Sequence, residues 1–258
     1  MVKGLYTAYT GMINQQHRMD VLTNNLANVN TNGYKKEGAT SQAFDSVLTL
    51  KIKDITEGPY LAKRIGHNNP GVKIGEGYTD FSHGPMKHTE NPFDLALTDN
   101  GFFAIRFTNK AGESSVKYTR DGNFTLTQDG HLVTQDGDAV LNIDGSPVQI
   151  DPLLEAQINV RGQIIQGGSV VDTIQITDFE DYNYLEHYGE NYYEPVDGAQ
   201  EIETEAGVYA GYLEMSNVSV VSEMVNMIAV QRAYDSNQKV ITTIDGTLDI
   251  SANQLGKV

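Results

Sequence analysis

From Leu5 the apolar residues recur in steps of three and four, through Leu5, Ala8, Met12, Met19, Leu22, Leu26 and Val29, with Gln15 completing the line. This heptad stripe predicts an amphipathic helix over residues 3 to 29. Asn30, Thr31, Asn32 and Gly33 predict its end, because Asn and Gly tolerate the left-handed conformation that closes a helix. At a rise of about 1.5 Å per residue the rod would be roughly 40 Å long. Taken alone it is a poor helix: Gly4 and Gly11 each cost about 1 kcal/mol relative to Ala, and Thr7, Thr10, Asn14 and Thr23 add smaller penalties.

The other end follows the same rule. Val220, Met224, Met227, Gln231, Tyr234, Gln238, Ile241 and Leu248 fall on one stripe, flanked by Val221, Val225, Ile228, Val230 and Ile244. Ser216, Asn217 and Ser219 are candidate caps before it and Gly256 lies beyond it, so a helix of roughly 50 Å is expected. Its apolar arc is wider than a single partner helix covers.

Between the ends the period changes to two. Phe102 to Phe107, Val116 to Thr119, Phe124 to Thr127, His131 to Thr134 and Val170 to Ile176 read as strands. Asp121-Gly122, Asp129-Gly130, Asp136-Gly137 and Asp144-Gly145 separate such runs at intervals suited to a meander of short hairpins. Residues 34 to 90 are broken by Gly58-Pro59, Asn69-Pro70-Gly71, Gly75 and Gly77, and read as an extended, partly strand-like connection. The expected fold class is α+β, with the terminal helices paired as a coiled-coil-like core and an all-β centre. The expected divisions are 1–35 for the first core helix, 36–90 for the connection, 91–205 for the β-rich outer domain, and 206–258 for the return segment and second core helix.

The chain has 258 residues, 39% hydrophobic and 20% charged, enough to bury a core. Its net charge of −16 opposes a phosphate backbone, so nucleic acid is not an expected partner. The lack of Cys removes disulfides, thiolate catalysis and cysteine-ligated zinc. No stretch of about 18 consecutive apolar residues is present, so no membrane-spanning helix is expected. The N-terminus carries neither the apolar run nor the cleavage site of a secretory signal and is expected to remain on the mature chain.

No cofactor, metal or catalytic constellation emerges. Asp121-Gly122-Asn123 opens like a calcium loop, but Leu126 and Leu132 stand where Gly and Glu are needed, and a hairpin turn explains it better. His83 and His88 are five apart and read as surface histidines. Asp178 to Glu205 holds ten carboxylates and no Lys or Arg, with seven Tyr between Tyr182 and Tyr212; it reads as a solvated acidic face with Tyr packed over its edge. Paired carboxylates leave a hydrolase as one rival reading. A secreted monomeric β-module, adhesive or carbohydrate-binding and carried on a helical stalk, is another.

The terminal stripes point elsewhere. Bringing the ends together as an antiparallel hairpin buries one seam, and a dozen large apolar residues left partly wet, at about 1.5 to 3 kcal/mol each, favour association with further copies. The residues expected to carry it are Leu5, Met12, Met19, Leu22, Leu26 and Val29 on the first helix, and Met224, Met227, Ile228, Tyr234, Ile241 and Leu248 on the second. Asn24, Asn25 and Asn28 admit two readings: fixing register between subunits, or capping the helix end locally.

These segments also carry a resemblance. Asn24-Asn25-Leu26-Ala27-Asn28-Val29 followed by Thr31-Asn32-Gly33-Tyr34-Lys35 resembles the N-terminal signature of the flagellar rod and hook family of axial proteins. Gly211-Tyr212-Leu213-Glu214-Met215-Ser216-Asn217-Val218, with the run from Val225 to Tyr234, resembles its C-terminal signature. The stretches 93 to 105 and 118 to 126 are similar to the β-domain of its rod members. The resemblance implies a non-catalytic structural subunit of the basal-body rod, exported unprocessed through the flagellar type III apparatus and polymerised helically into a hollow, torque-transmitting shaft. Implied partners are other copies, other rod and hook proteins, and the ring proteins around them.

Overall fold

In the computed structural model, which describes residues 2–51, 63–110, 112–189, 191–204 and 206–253, the chain is α+β. Helix α1 spans Val2–Ala27 and helix α2 spans Val220–Asn253, with a large β-rich region between them in sequence. Two compact units divide it: residues 1–26, 37–79 and 219–258 form one, and residues 27–36 and 80–218 the other.

In the first unit α1 has two occupied faces. The expected line of Leu5, Ala8, Met12, Gln15, Met19, Leu22 and Leu26 is buried or half-buried. Its glycines lie beside α2: a Cβ added at Gly4 would stand 3.5 Å from Ile244 Cδ1, and one at Gly11 would stand 3.1 Å from Asn237 Nδ2. The second face explains the poor helix formers. Thr7 Oγ1 donates to Pro70 O at 3.2 Å, and Asn14 exchanges hydrogen bonds with Ser41 Oγ at 2.9 and 3.0 Å. Asn25, fully buried, donates Nδ2 to Glu37 O at 2.8 Å and accepts Glu37 N–H on Oδ1 at 3.0 Å. Residues that weaken the isolated helix therefore anchor it to the segment that follows.

That segment has more strand than expected. Lys36–Ala43 pairs with Val72–Asp80, and Val47–Lys51 pairs antiparallel with Lys63–Asn68. Gly58-Pro59 lies outside the described residues. On α2, Ser219 O accepts Glu223 N–H at 3.0 Å in the first turn. The buried and half-buried line of this helix runs through Glu223, Met227, Val230, Tyr234, Asn237, Ile241 and Ile244. It shares Met227, Tyr234 and Ile241 with the expected stripe but leaves Met224, Gln231, Gln238 and Leu248 exposed. Apolar residues occupy too much of the circumference for periodicity to fix the inward face.

The second unit is built on strand Phe102–Thr108, which is covered on both faces. Phe103 and Ile105 point into one core with Leu95, Phe124, Leu132 and Ile164, whereas Phe102 and Ala104 point into another with Tyr118, Phe179 and Tyr193. Alternation of side chains along a strand makes a run of apolar residues serve two cores. The main sheet runs Leu185–Tyr188, Tyr192–Pro195, Ser114–Thr119, Phe102–Thr108, Ala139–Val140, Leu132–Thr134, Phe124–Leu126, and Ile176–Phe179 also pairs with Phe102–Thr108. Gly130, Gly137 and Gly145 take positive φ in the expected turns.

Two expectations are corrected. The single strand over Val170 to Ile176 is two: Ser169–Thr173 pairs with Gln163–Gln166, and Ile176–Phe179 joins the main sheet. Ile174, buried between them in the first core, marks the change of sheet. Asp121-Gly122-Asn123 is no hairpin, because the strands on either side of it pair with other partners; Asp121 Oδ1 instead accepts Asn123 N–H at 3.0 Å in a turn closed by its own side chain.

Candidate functional site

The residues expected to carry assembly fall into two groups. Leu5, Met12, Met19, Leu22, Leu26 and Val29 on or just after α1, with Met227, Tyr234 and Ile241 on α2, are half-buried within the chain. Met224, Ile228 and Leu248 are exposed. With Val221 and Val225, Met224 and Ile228 form an apolar strip along the first two turns of α2, spaced so that it lies on one side of the helix. Sequence periodicity missed a matching feature on α1, where Tyr6, Tyr9 and Ile13 are exposed at helical spacing. Leu5, Tyr6, Tyr9 and Ile241 line a hollow of about 250 Å³ there. Of the three asparagines, Asn25 binds the Glu37 backbone as described, and Asn28 Oδ1 accepts the Thr31 hydroxyl at 3.2 Å beyond the helix end.

A second feature lies wholly in the β-rich unit and was assigned no role from the sequence. Lys35 Nζ donates to Glu214 Oε1 at 2.6 Å and to Ser82 O at 2.9 Å. Arg120 Nε stands 3.1 Å from Glu214 Oε2, while its Nη1 donates to Asp99 O at 2.8 Å and to Gly101 O at 2.5 Å. Gly84 N–H completes the carboxylate's set at 3.0 Å. The three charged side chains are at most 3% exposed. Burial alone would raise the Glu214 pKa, but Arg120 and Lys35 overcome it and hold the carboxyl below its ordinary range. Burial lowers the Lys35 pKa, against the pull of Glu214.

The backbone around this cluster is tied as tightly. Gly33 N–H donates to Glu214 O at 2.8 Å, and Gly33 has φ +67° in a place where a Cβ would run into the Arg120–Asp121 peptide. Asn217 accepts Lys36 N–H at 2.8 Å and donates to Asp80 O at 2.8 Å and Ser82 O at 3.1 Å. Three of the stretches that carry the family resemblance, 24–35, 118–126 and 211–218, thus supply one charged member each: Lys35, Arg120 and Glu214. Only a separation of 179 residues between Lys35 and Glu214 hid the pairing.

His83 is exposed, as expected, and lies at the rim of this cluster. Its Nδ1 lies 2.9 Å from Arg120 Nη2 and 3.9 Å from Glu214 Oε1, with the side chain 37% exposed. Burial, then the Arg120 charge, holds its pKa below the ordinary value. His88 packs edge-on to Tyr212 with ring centroids 4.9 Å apart.

The acidic, Tyr-rich stretch has a packing role. Tyr182 and Tyr193 lie in or against the second core, with Phe81 and Phe102 between them. Tyr118 donates to Glu201 at 2.6 Å, Tyr182 to Asp178 at 2.7 Å and Tyr192 to Asp138 at 3.0 Å. Burial first, then these acceptors, raises the pKa of Tyr118 and Tyr182 far above the ordinary phenol value. Lys117, itself buried, pairs with Glu194 and lies 4.1 Å from the Tyr188 ring centre.

Three family profiles match segments of the chain. The profile described as flagella basal body rod protein matches residues 5–35. That of the flagellar hook protein FlgE/F/G D1 domain matches 96–177, and that of the flagellar basal body rod FlgEFG protein C-terminal matches 209–255. The flagellar basal-body rod protein FlgG of Borreliella burgdorferi is 34% identical over 98% of both chains. FlgF of Caulobacter vibrioides is 33% identical, and the flagellar hook-basal body complex protein FlhO of Bacillus subtilis 31% identical, each over the whole of both chains. On these matches the chain belongs to the flagellar basal-body rod protein family.

Proposed function

We propose that this protein is a structural subunit of the bacterial flagellar rod, polymerising helically through its terminal helices into a hollow shaft that transmits torque. The observation that carries the reading is the exposed apolar strip Val221, Met224, Val225 and Ile228, on a helix that also has an inward-facing line of its own. An apolar surface of this kind in water favours a partner. The close approach of Gly4 to Ile244 and of Gly11 to Asn237 supports antiparallel, coiled-coil-like pairing of α1 with α2 within the subunit. The strip then remains for neighbouring copies.

Contacts made by different patches on successive subunits propagate a helix when their rotation does not close into a ring. Leu5, Met12, Met19, Leu22, Leu26, Val29, Met227, Tyr234 and Ile241 would shape the surface, Met224, Ile228 and Leu248 would meet neighbours directly, and Asn24 would help fix register. The subunit performs no catalysis and takes no cofactor in this role. Family membership supports other rod and hook proteins as axial neighbours, ring proteins around them, and an extracytoplasmic place reached without a cleaved signal peptide.

The test is sedimentation and electron microscopy of the purified chain over rising concentration, beside a variant lacking residues 1–30. Filaments that vanish on deletion are expected. A chain that stays monomeric at every concentration, and is absent from purified basal bodies of its own cell, would overturn the reading.

A further inference from the structure

The Lys35–Glu214–Arg120 cluster sets two cations against one carboxylate out of water, and its one water-facing member is His83. The groups facing that imidazole come from four parts of the β-rich unit. Arg120 follows strand Ser114–Thr119, Glu214 ends strand Tyr212–Glu214, Lys35 lies in the segment after α1, and Asn100 sits in the loop before Phe102. Asp80 lies farther out and acts on Lys35. A neutral imidazole accepts the Arg120 Nη2 N–H through Nδ1. An imidazolium cannot, because both its nitrogens carry protons.

We propose that this cluster is a latch released by acid, with His83 as its trigger. Protonation removes the acceptor from Arg120 and adds a third positive charge beside a single carboxylate. Arg120 then turns away from His83, and the segments that meet on Glu214, residues 33–36, 82–85 and 211–217, come loose together. The two cores on either side of strand Phe102–Thr108 contain none of these charges and stay closed. The inference does not depend on the rod reading, since every group in it belongs to this one unit.

The direction follows from linkage. His83 has a lower pKa with the latch closed than with it open, so closure is favoured above the open-state value of about 6.5 and is lost as pH falls from there toward the closed-state value. Within that window opening increases by up to about tenfold per pH unit. Glu214, whose pKa is also depressed by closure, adds its own loss only below about pH 4.3, so the two events separate.

Hydrogen exchange of the full chain, corrected for intrinsic rates, reads the latch through the amides of Gly33, Gly84 and Met215, each of which donates within it. Between pH 8 and pH 5 these three should lose protection, by at most about thirtyfold, while Ile105 and Leu132 lose none. His83→Asn, which keeps an acceptor near the place of Nδ1 and cannot be protonated, should remain closed at both pH values. Should that variant fold poorly, NMR titration of His83 in the unaltered chain decides the matter: its midpoint must fall below 6.5 and track the exchange. Protection unchanged at pH 5, the same acid loss in His83→Asn, or a His83 midpoint at or above 6.5 would each overturn the proposal.

Discussion

Lys35 and Glu214, 179 residues apart, meet at 2.6 Å with both side chains only 1% exposed. The pair closes the β-rich unit from its two ends, and Arg120 joins it from the middle of the chain. Because two cations share one anion, the partners are not equivalent. Removing Glu214 strands two buried charges, whereas removing Lys35 leaves a balanced pair with Arg120.

Glu214→Gln should therefore destabilise the unit by about 3–5 kcal/mol, the cost of breaking a buried pair. Lys35→Met, which keeps most of the side-chain volume, should cost less than about 2 kcal/mol. Urea unfolding followed by tyrosine fluorescence, convenient in a chain with 14 Tyr and no Trp, measures both. Equal losses would mean that the excess positive charge is compensated elsewhere.

Asn25→Ala should cost about 2 kcal/mol and loosen the start of strand Lys36–Ala43. Its amide satisfies both backbone groups of Glu37 at a fully buried position, and the variant leaves a donor and an acceptor without that partner. Faster exchange of the Glu37 amide, with the β-rich unit unaffected, is the expected signature.

The parts of the fold legible in the sequence are those governed by local spacing. The three- and four-residue steps from Leu5 to Val29 mark α1, and Gly130, Gly137 and Gly145 mark turns because the backbone there needs positive φ. What was hidden depends on distant partners. The run from Val170 to Ile176 carries no Gly, Pro or Asn to signal a turn, so nothing local marks the point near Ile174 where it leaves one sheet for another. The polar face of α1 reads as a penalty in the sequence because its partners, Glu37, Ser41 and Pro70, lie beyond the helix in the chain. The assembly residues were legible as apolar, but not which of them turn inward.

Asp121 should make the protein less stable as pH rises. Burial, reinforced by Asp136 and Asp94 and opposed by the Asn123 N–H, pushes its carboxyl up to about 6. A folded-state pKa above the unfolded value of about 3.9 means that its contribution is fully present below pH 4 and is lost as pH rises through 6. Asp121→Asn preserves an oxygen acceptor for Asn123 N–H and removes the charge. It should gain about 1–2 kcal/mol at pH 7.5 and nothing at pH 4, read by urea unfolding at the two pH values.

Substitutions on α2 should separate assembly from folding. Met224 and Ile228 are 49% and 51% exposed, whereas Val230, on the same helix, is 3% exposed. A carboxylate at either exposed position stays in water in the free subunit but becomes a buried, unpaired charge when a neighbour covers it. Met224→Asp with Ile228→Asp should abolish filaments seen by electron microscopy while shifting the urea midpoint of the monomer very little. Val230→Asp should instead unfold the helical unit, since its charge is buried before any neighbour arrives. Leu26→Asp, at a half-buried place on the α1 line, should block assembly and leave the β-rich unit folded. Normal filaments from the double α2 variant would remove that strip from the subunit contact and return the search to Tyr6, Tyr9 and Ile13 on α1.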